Sequence, residues 1–252
     1  MAIRKTDAIV LKTMPFRSSS LIVTLFSRDY GKIRGLAKGV RLERETRGAL
    51  YELCTRLEVV YYEKTRSDLH LLTEGFLEES YEPMRTQLES IAYASYFCEL
   101  VDETTEVHDA HPQLFELLDF AFRYLSSIPA ERVARLFEIK LLREIGWLPY
   151  LDNCVQCSQG GLESGYFSAR QGALICPKCA GGFPDARPLQ REALAAMRYY
   201  AGHELEDCLR HGMGSQTEAE LKVFMGRFFA ERLLRPLKSK QFIEKIKPVM
   251  AK

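Results

Sequence analysis

The chain lacks any apolar run near the roughly 18 to 20 residues that span a bilayer. Its first 25 residues hold four Lys/Arg and nothing resembling a signal-peptide core with a cleavage site, so a cytosolic location is expected. Neither H-E-x-x-H nor G-x-x-x-x-G-K-S/T occurs, which removes the commonest metalloprotease and ATPase chemistries. The one His-Glu pair, His203-Glu204, stands well away from the cysteines, so the H-x-E of a zinc deaminase is missing too. There is no internal repeat and no low-complexity tract. Net charge is nearly absent as well, with 35 Lys/Arg against 34 Asp/Glu in 252 residues.

That balance hides a segregation by position. Residues 1–74 carry 14 Lys/Arg against 9 Asp/Glu, residues 75–130 carry 2 against 11, and residues 131–252 carry 19 against 14. Separated blocks imply a basic face and an acidic face. At this length more than one domain is expected.

The first 80 residues read as strands: Ala8 to Lys12, Leu21 to Phe26, a turn at Asp29-Tyr30-Gly31 leading to Ile33, then Leu57 to Tyr62 and Leu69 to Phe76. Five strands without an intervening long helix predict a small antiparallel barrel, of which the OB-fold is one form. After Pro83 the period becomes helical, with stripes through Leu88, Ile91, Ala92, Tyr96 and Leu100, and through Leu114, Leu118, Ala121, Phe122 and Leu125. A helix with Phe137, Leu141 and Ile145 inward is expected from Pro129 onward. Thr217-Glu218-Ala219-Glu220 matches a capping box and predicts the start of another, with Leu221, Phe224, Met225, Phe228 and Phe229 inward.

Seven cysteines in a chain without an export signal argue for thiols and metal ligands rather than disulfides. Cys54, Cys98 and Cys208 sit among apolar residues and read as small hydrophobes. Cys154-Val-Gln-Cys157 and Cys176-Pro-Lys-Cys179 are separated by 18 residues, the spacing of a tetrahedral four-cysteine zinc site. "GYFSARQGALI" between them can form a hairpin that returns the second knuckle to the first. The alternatives are a redox dithiol and a site left empty under some conditions. Four thiolates leave no open coordination position, so one zinc ion here is structural rather than hydrolytic.

Lys32, Arg34, Lys38, Arg41, Arg44 and Arg47 place six cations in sixteen residues, and Arg4, Lys5, Lys12 and Arg17 add to the same domain. On a strand Lys32 and Arg34 face solvent while Ile33 packs inward; from Lys38 the spacing suits a basic loop. A solvated surface would account for such a run. Eleven Lys/Arg against four Asp/Glu in residues 1–47 of a barrel favour nucleic acid instead, with Phe16, Tyr30, Tyr51, Tyr61 and Tyr62 as candidate stacking groups. Residues 221–252, nine Lys/Arg against two Asp/Glu, form a second basic region.

"AIVLKT" (8–13), "SLIVTLFSRDYGKIRGLAKGVR" (20–41) with "RGAL" (47–50), "RLFEIKLLREIGWLP" (135–149) and the cysteine pairs in order resemble the bacterial recombination mediator RecO family across nearly the whole chain. The resemblance implies an α+β multidomain fold: an N-terminal OB-fold barrel over 1–80, a helical domain over 81–149 and 188–252, and a zinc-ribbon-like four-cysteine module inserted at 150–187. It implies a non-enzymatic DNA-repair role in the cytoplasm, at the nucleoid. Such a protein binds single- and double-stranded DNA, anneals complementary strands and, with RecR and sometimes RecF, helps RecA replace single-stranded DNA-binding protein (SSB). Arg17, Lys32, Arg34, Lys38, Arg41, Arg44 and Arg47 look like DNA contacts, and Arg132 and Arg135 resemble part of a site for the SSB C-terminal tail. No membrane partner and no small-molecule substrate are implied. Ser18 and Ser20 stand where many relatives have acidic residues, which leaves Arg17 less neutralised. Many relatives lack some of the cysteines, so zinc is expected to hold the insert folded rather than serve DNA binding. The rivals are a structural protein whose charged faces bind protein alone, and a zinc-dependent nuclease.

Overall fold

The computed structural model describes residues 2–41 and 48–250, with side chains through residue 246. The chain forms two compact units, Met1–Ala130 with Leu237–Lys252, and Glu131–Pro236.

The first unit is built on five strands: β1 (Ala2–Phe16), β2 (Ser20–Ser27), β3 (Gly31–Ala37), β4 (Arg56–Glu63) and β5 (Leu69–Glu79). They close as β1-β2-β3-β5-β4, the strand-rich OB-like domain expected. Four of the pairings are antiparallel and the closing β3–β5 pair is parallel. β1 serves two neighbours: Ala2–Ile9 pair with β4 and Ala8–Phe16 with β2, with a register shift between Val10 and Lys12 that bends the strand between them. Period-two alternation sends Leu57, Val59 and Tyr61 inward with Ala8, Val10, Val23, Leu25 and Ile33. Tyr51 and Tyr61 are therefore core, not stacking groups. Each large side chain removed from water contributes roughly 1.5–3 kcal/mol.

The helices of this unit are α1 (Glu82–Arg85), α2 (Leu88–Thr104), α3 (Pro112–Tyr124) and, from the C-terminus, α8 (Lys238–Met250). α2 lies against β1, where buried Cys98 meets the Val10 carbonyl at 3.7 Å and Cys54 at 3.6 Å. Part of the acidic block pairs here: Asp102 with Lys32 (3.3 Å), Asp119 with Arg56 (3.2 Å), and Glu116 with Arg28. Phe115 lies under both Arg28 and Arg56, at 5.2 and 5.6 Å. The charge segregation of the sequence is thus partly neutralised by packing. Gly31 takes φ +64°, and a Cβ there would lie 2.0 Å from the Asp109 carbonyl oxygen, so the chain after α2 passes against β3 only because residue 31 is glycine. Glu99 of α2 receives the Lys238 and Ser239 amides at 3.0 and 2.8 Å, capping α8.

The second unit holds α4 (Ala130–Glu144), β6 (Gly165–Ser168), β7 (Ala173–Ile175), β8 (Arg187–Leu189), α5 (Arg191–Gly202), α6 (Leu205–His211) and α7 (Ser215–Arg232). α4 starts where Pro129 predicts. The hairpin expected between the cysteine pairs is β6–β7, and β8 completes a sheet of order β7-β6-β8. The capping box does not form. α7 begins at Ser215 with Gly214 as its N-cap, Glu220 accepts the Gln190 amide (2.8 Å), and Glu218 pairs with Arg132 (3.1 Å), so both carboxylates have tertiary partners. Phe224, Met225, Phe228 and Phe229 point inward as expected. Among the described residues no helix is long and apolar enough to cross a membrane.

Candidate nucleic-acid interface and metal centre

The register of the barrel aligns Lys12 with Thr24 and Thr24 with Arg34, and, one row along, Met14 with Ile22 and Ile22 with Leu36. Paired residues share a face of the sheet. Lys12, Arg34 and Met14 are exposed, Ile22 and Leu36 half-buried, while Val23 on the opposite face is in the core. The outer surface of β1–β3 therefore alternates cations with apolar side chains.

At the end of that strip the chain turns twice in the same place. The β1–β2 hairpin tip carries Arg17, at φ 54°, with its guanidinium 5.3 Å over the Phe16 ring. The segment after β3 returns to it: the Arg41 amide donates to Ser19 O (3.0 Å) and Arg41 Nη1 to Arg17 O (3.1 Å). These bonds bring Arg17 and Arg41 together, with Lys38 exposed between β3 and Arg41. Of the nine cations in residues 2–41, Arg4, Lys5, Arg28 and Lys32 have carboxylate partners. Lys12, Arg17, Arg34, Lys38 and Arg41 have none among the described residues, and all five lie on this strip or at its end. Unpaired, they add their full charge to the surface field.

Lys32 departs from the expectation of a solvent-facing side chain. It is 9% exposed, and its Nζ reaches Thr105 O at 2.7 Å beside the Asp102 carboxylate, because the end of α2 covers the strand there. Arg44 and Arg47 lie outside the described residues. The sequence counts Lys12 among the domain's cations but not among the candidate DNA contacts; the signal is in the alternation Lys12-Met14-Phe16, which only a strand longer than Ala8 to Lys12 makes significant.

Arg132 and Arg135 both sit on α4, in different settings. Arg132 is partly exposed and bound to Glu218. Arg135 is 4% exposed, donates Nη2 to Glu138 (2.8 Å), and its Nε and Nη1 have no hydrogen-bond partner, so it points into the unit rather than toward an external peptide.

The four paired cysteines converge. The sulfurs of Cys154, Cys157, Cys176 and Cys179 lie within 4.8 Å of one another, with Cys157 and Cys176 3.7 Å apart. Each pair is a tight turn: the Ser158 amide donates to Cys154 O (2.8 Å), and the Cys179 and Ala180 amides to Cys176 O (3.0 and 3.1 Å). Burial opposes ionisation of Cys154, but amides of Cys176, Cys157 and Gln156 directed at its sulfur pull the thiol down to about 6. Cys179, donating to Cys176 and Cys157, is pushed up to about 12. The tetrahedral separation of four thiolates bonded at about 2.3 Å is roughly 3.8 Å, so the donor set fits a single metal ion.

Residues 1–81 match the family described as "Recombination protein O N terminal" and residues 85–241 the one described as "Recombination protein O C terminal". The DNA repair protein RecO of Anaeromyxobacter sp. (strain K) is 30% identical over 98% of each chain. Those of Bacillus pumilus and Halalkalibacterium halodurans are 30% and 28% identical over 96% of this chain and 94% of theirs. The two matches together take in the basic barrel, the helical region and the four-cysteine cluster, and the chain belongs to the recombination protein O (RecO) family, with its role in DNA repair and recombination.

Proposed function

We propose that the chain is a non-enzymatic mediator that binds single- and double-stranded DNA through the barrel, anneals complementary strands, and acts with RecR, and in some settings RecF, to load RecA onto SSB-coated single strands. The observation that carries this is the strip of Lys12, Arg17, Arg34, Lys38 and Arg41, cations left without carboxylate partners while their neighbours are neutralised. The cations of such a strip replace the counterions condensed on DNA phosphates, and Met14, Ile22, Leu36 and Phe16 offer apolar contact to bases between the charges. Arg44 and Arg47 continue the basic run in sequence. Annealing follows from charge alone: two strands whose phosphates are neutralised no longer repel, and no covalent step is needed. Arg132 is the group for the acidic SSB tail, and the four cysteines take one structural zinc ion, which keeps the insert folded. The localisation that goes with this role is the cytoplasm.

Fluorescence anisotropy with a labelled single strand tests it. Neutralising about four to six phosphates gives log K a slope against log salt of roughly −3 to −4. The variant Arg34→Glu/Lys38→Glu/Arg41→Glu should lose binding while melting at the wild-type temperature; wild-type affinity in that variant would refute the assignment.

A further inference from the structure

The second unit contains a cavity of about 480 Å³ lined by Arg143, Leu148, Pro149, Tyr150, Asp152 and Arg198. Neither guanidinium has a carboxylate partner among the described residues. Arg143 Nη1 donates to Ala201 O at the end of α5, and Arg198 donates to Leu162 O (3.1 Å) and Leu151 O (2.6 Å). These bonds use one of Arg143's five N–H groups and at least two of Arg198's, and Asp152 is the one carboxylate among the lining residues. Tyr150 is 47% and Leu148 37% exposed. Tyr150 is not loosely hung: its amide donates to Gly172 O and its carbonyl accepts the Leu174 amide, each at 2.9 Å, and its hydroxyl accepts Asn153 Nδ2 at 3.1 Å. A rigid backbone thus presents an exposed aromatic ring in a cavity with a net positive charge.

Those features select among ligands. The charge rejects cations, and an apolar wall with an open ring gives nothing to a bare inorganic anion. A fixed aromatic face beside guanidinium donors matches a stacked base with its phosphate, and the volume suits one nucleotide. We propose that this cavity is a second single-strand site, taking one nucleotide with its base on Tyr150 and Leu148 and its phosphate on Arg143, while Arg198 holds the wall in place. The inference rests on the annealing activity proposed above, since annealing requires a protein to hold two strands, and it puts the second strand on the second unit.

Two measurements on the full chain test it. Ultraviolet crosslinking of a 5-bromodeoxyuridine-substituted single strand, followed by peptide mapping, should mark Tyr150 in the wild type. Tyr150→Ala/Arg143→Gln should keep single-strand affinity within about twofold while the annealing rate of two complementary oligonucleotides falls about tenfold. No crosslink at residues 148–152, or an unchanged annealing rate in a folded double variant, overturns the second site. An acidic peptide that binds the wild type but not the variant, with no crosslink at Tyr150, assigns the cavity to protein instead and also overturns it. A wild-type protein that binds single strands yet anneals none removes the proposed activity, and this site with it. Because the crosslink is read on the wild type, misfolding of the variant leaves a decisive result.

Discussion

Lys32 and Arg34 stand two residues apart on one strand face, and their surroundings give them opposite work. Arg34 is open to water, whereas Lys32 binds Asp102 and the Thr105 carbonyl. Replacing Lys32 with Met should cost about 1–3 kcal/mol, because buried acceptors lose their donor, and should leave the salt dependence of DNA binding unchanged. Arg34→Gln and Lys12→Gln should each do the reverse, keeping the melting temperature and reducing the single-strand salt slope by about 0.7. Denaturation and anisotropy at several salt concentrations separate the two cases. Nothing near Lys32 in the sequence foretells its burial, since its partners are 70 and 73 residues away. The exposure of Lys38 and Arg41, by contrast, follows from local polarity. Asp119 supplies a pH test. Burial opposes its ionisation, but hydrogen bonds from Arg123 and Tyr81 and the charges of Arg123 and Arg56 hold its carboxyl below the ordinary range. A depressed carboxyl adds stability above its unfolded value near 4 and loses it as pH falls through the folded value. The melting temperature should therefore drop below about pH 4, and less steeply in Asp119→Asn, which starts lower at pH 7.

Among the elements, those with strong periodicity were legible and those fixed by distant partners were not. The alternation of Leu57-Val59-Tyr61 and the stripe of Leu114, Leu118 and Phe122 announce a strand and a helix, and the "GYFSARQGALI" hairpin lies where the cysteine spacing needs it. The first six residues of β1 were missed, because Arg4, Lys5 and Asp7 look like a polar leader until β4 pairs with them and supplies Glu63 and Glu58. β8 has three residues, too few for any period. The capping box failed because a carboxylate three residues into a helix is equally available to tertiary donors. Gly31 acts at the element scale, where two segments pass closely: Gly31→Ala should destabilise the protein by at least about 2 kcal/mol, combining a left-handed backbone with a clash against Asp109. For the cysteine module, elemental analysis of the purified protein should find one zinc per chain. A strong chelator should lower the melting temperature of the wild type but not of Cys154→Ser/Cys176→Ser, which should already melt low.

On the scale of the whole chain, the near-zero net charge conceals a division that folding redraws. Three of the acidic residues between 75 and 130 neutralise barrel cations, so the positive field that remains is narrower than the sequence count implies and is concentrated on β1–β3 and the adjoining turns. The first unit is also discontinuous, since α8 returns to α2 after the second unit is complete. During synthesis residues 131–236 therefore emerge and can compact while the side of α2 around Glu99 still waits for its last partner. The carboxylate of Glu99, which receives two amides of α8, makes a segment synthesised 139 residues later a condition for finishing the unit begun first.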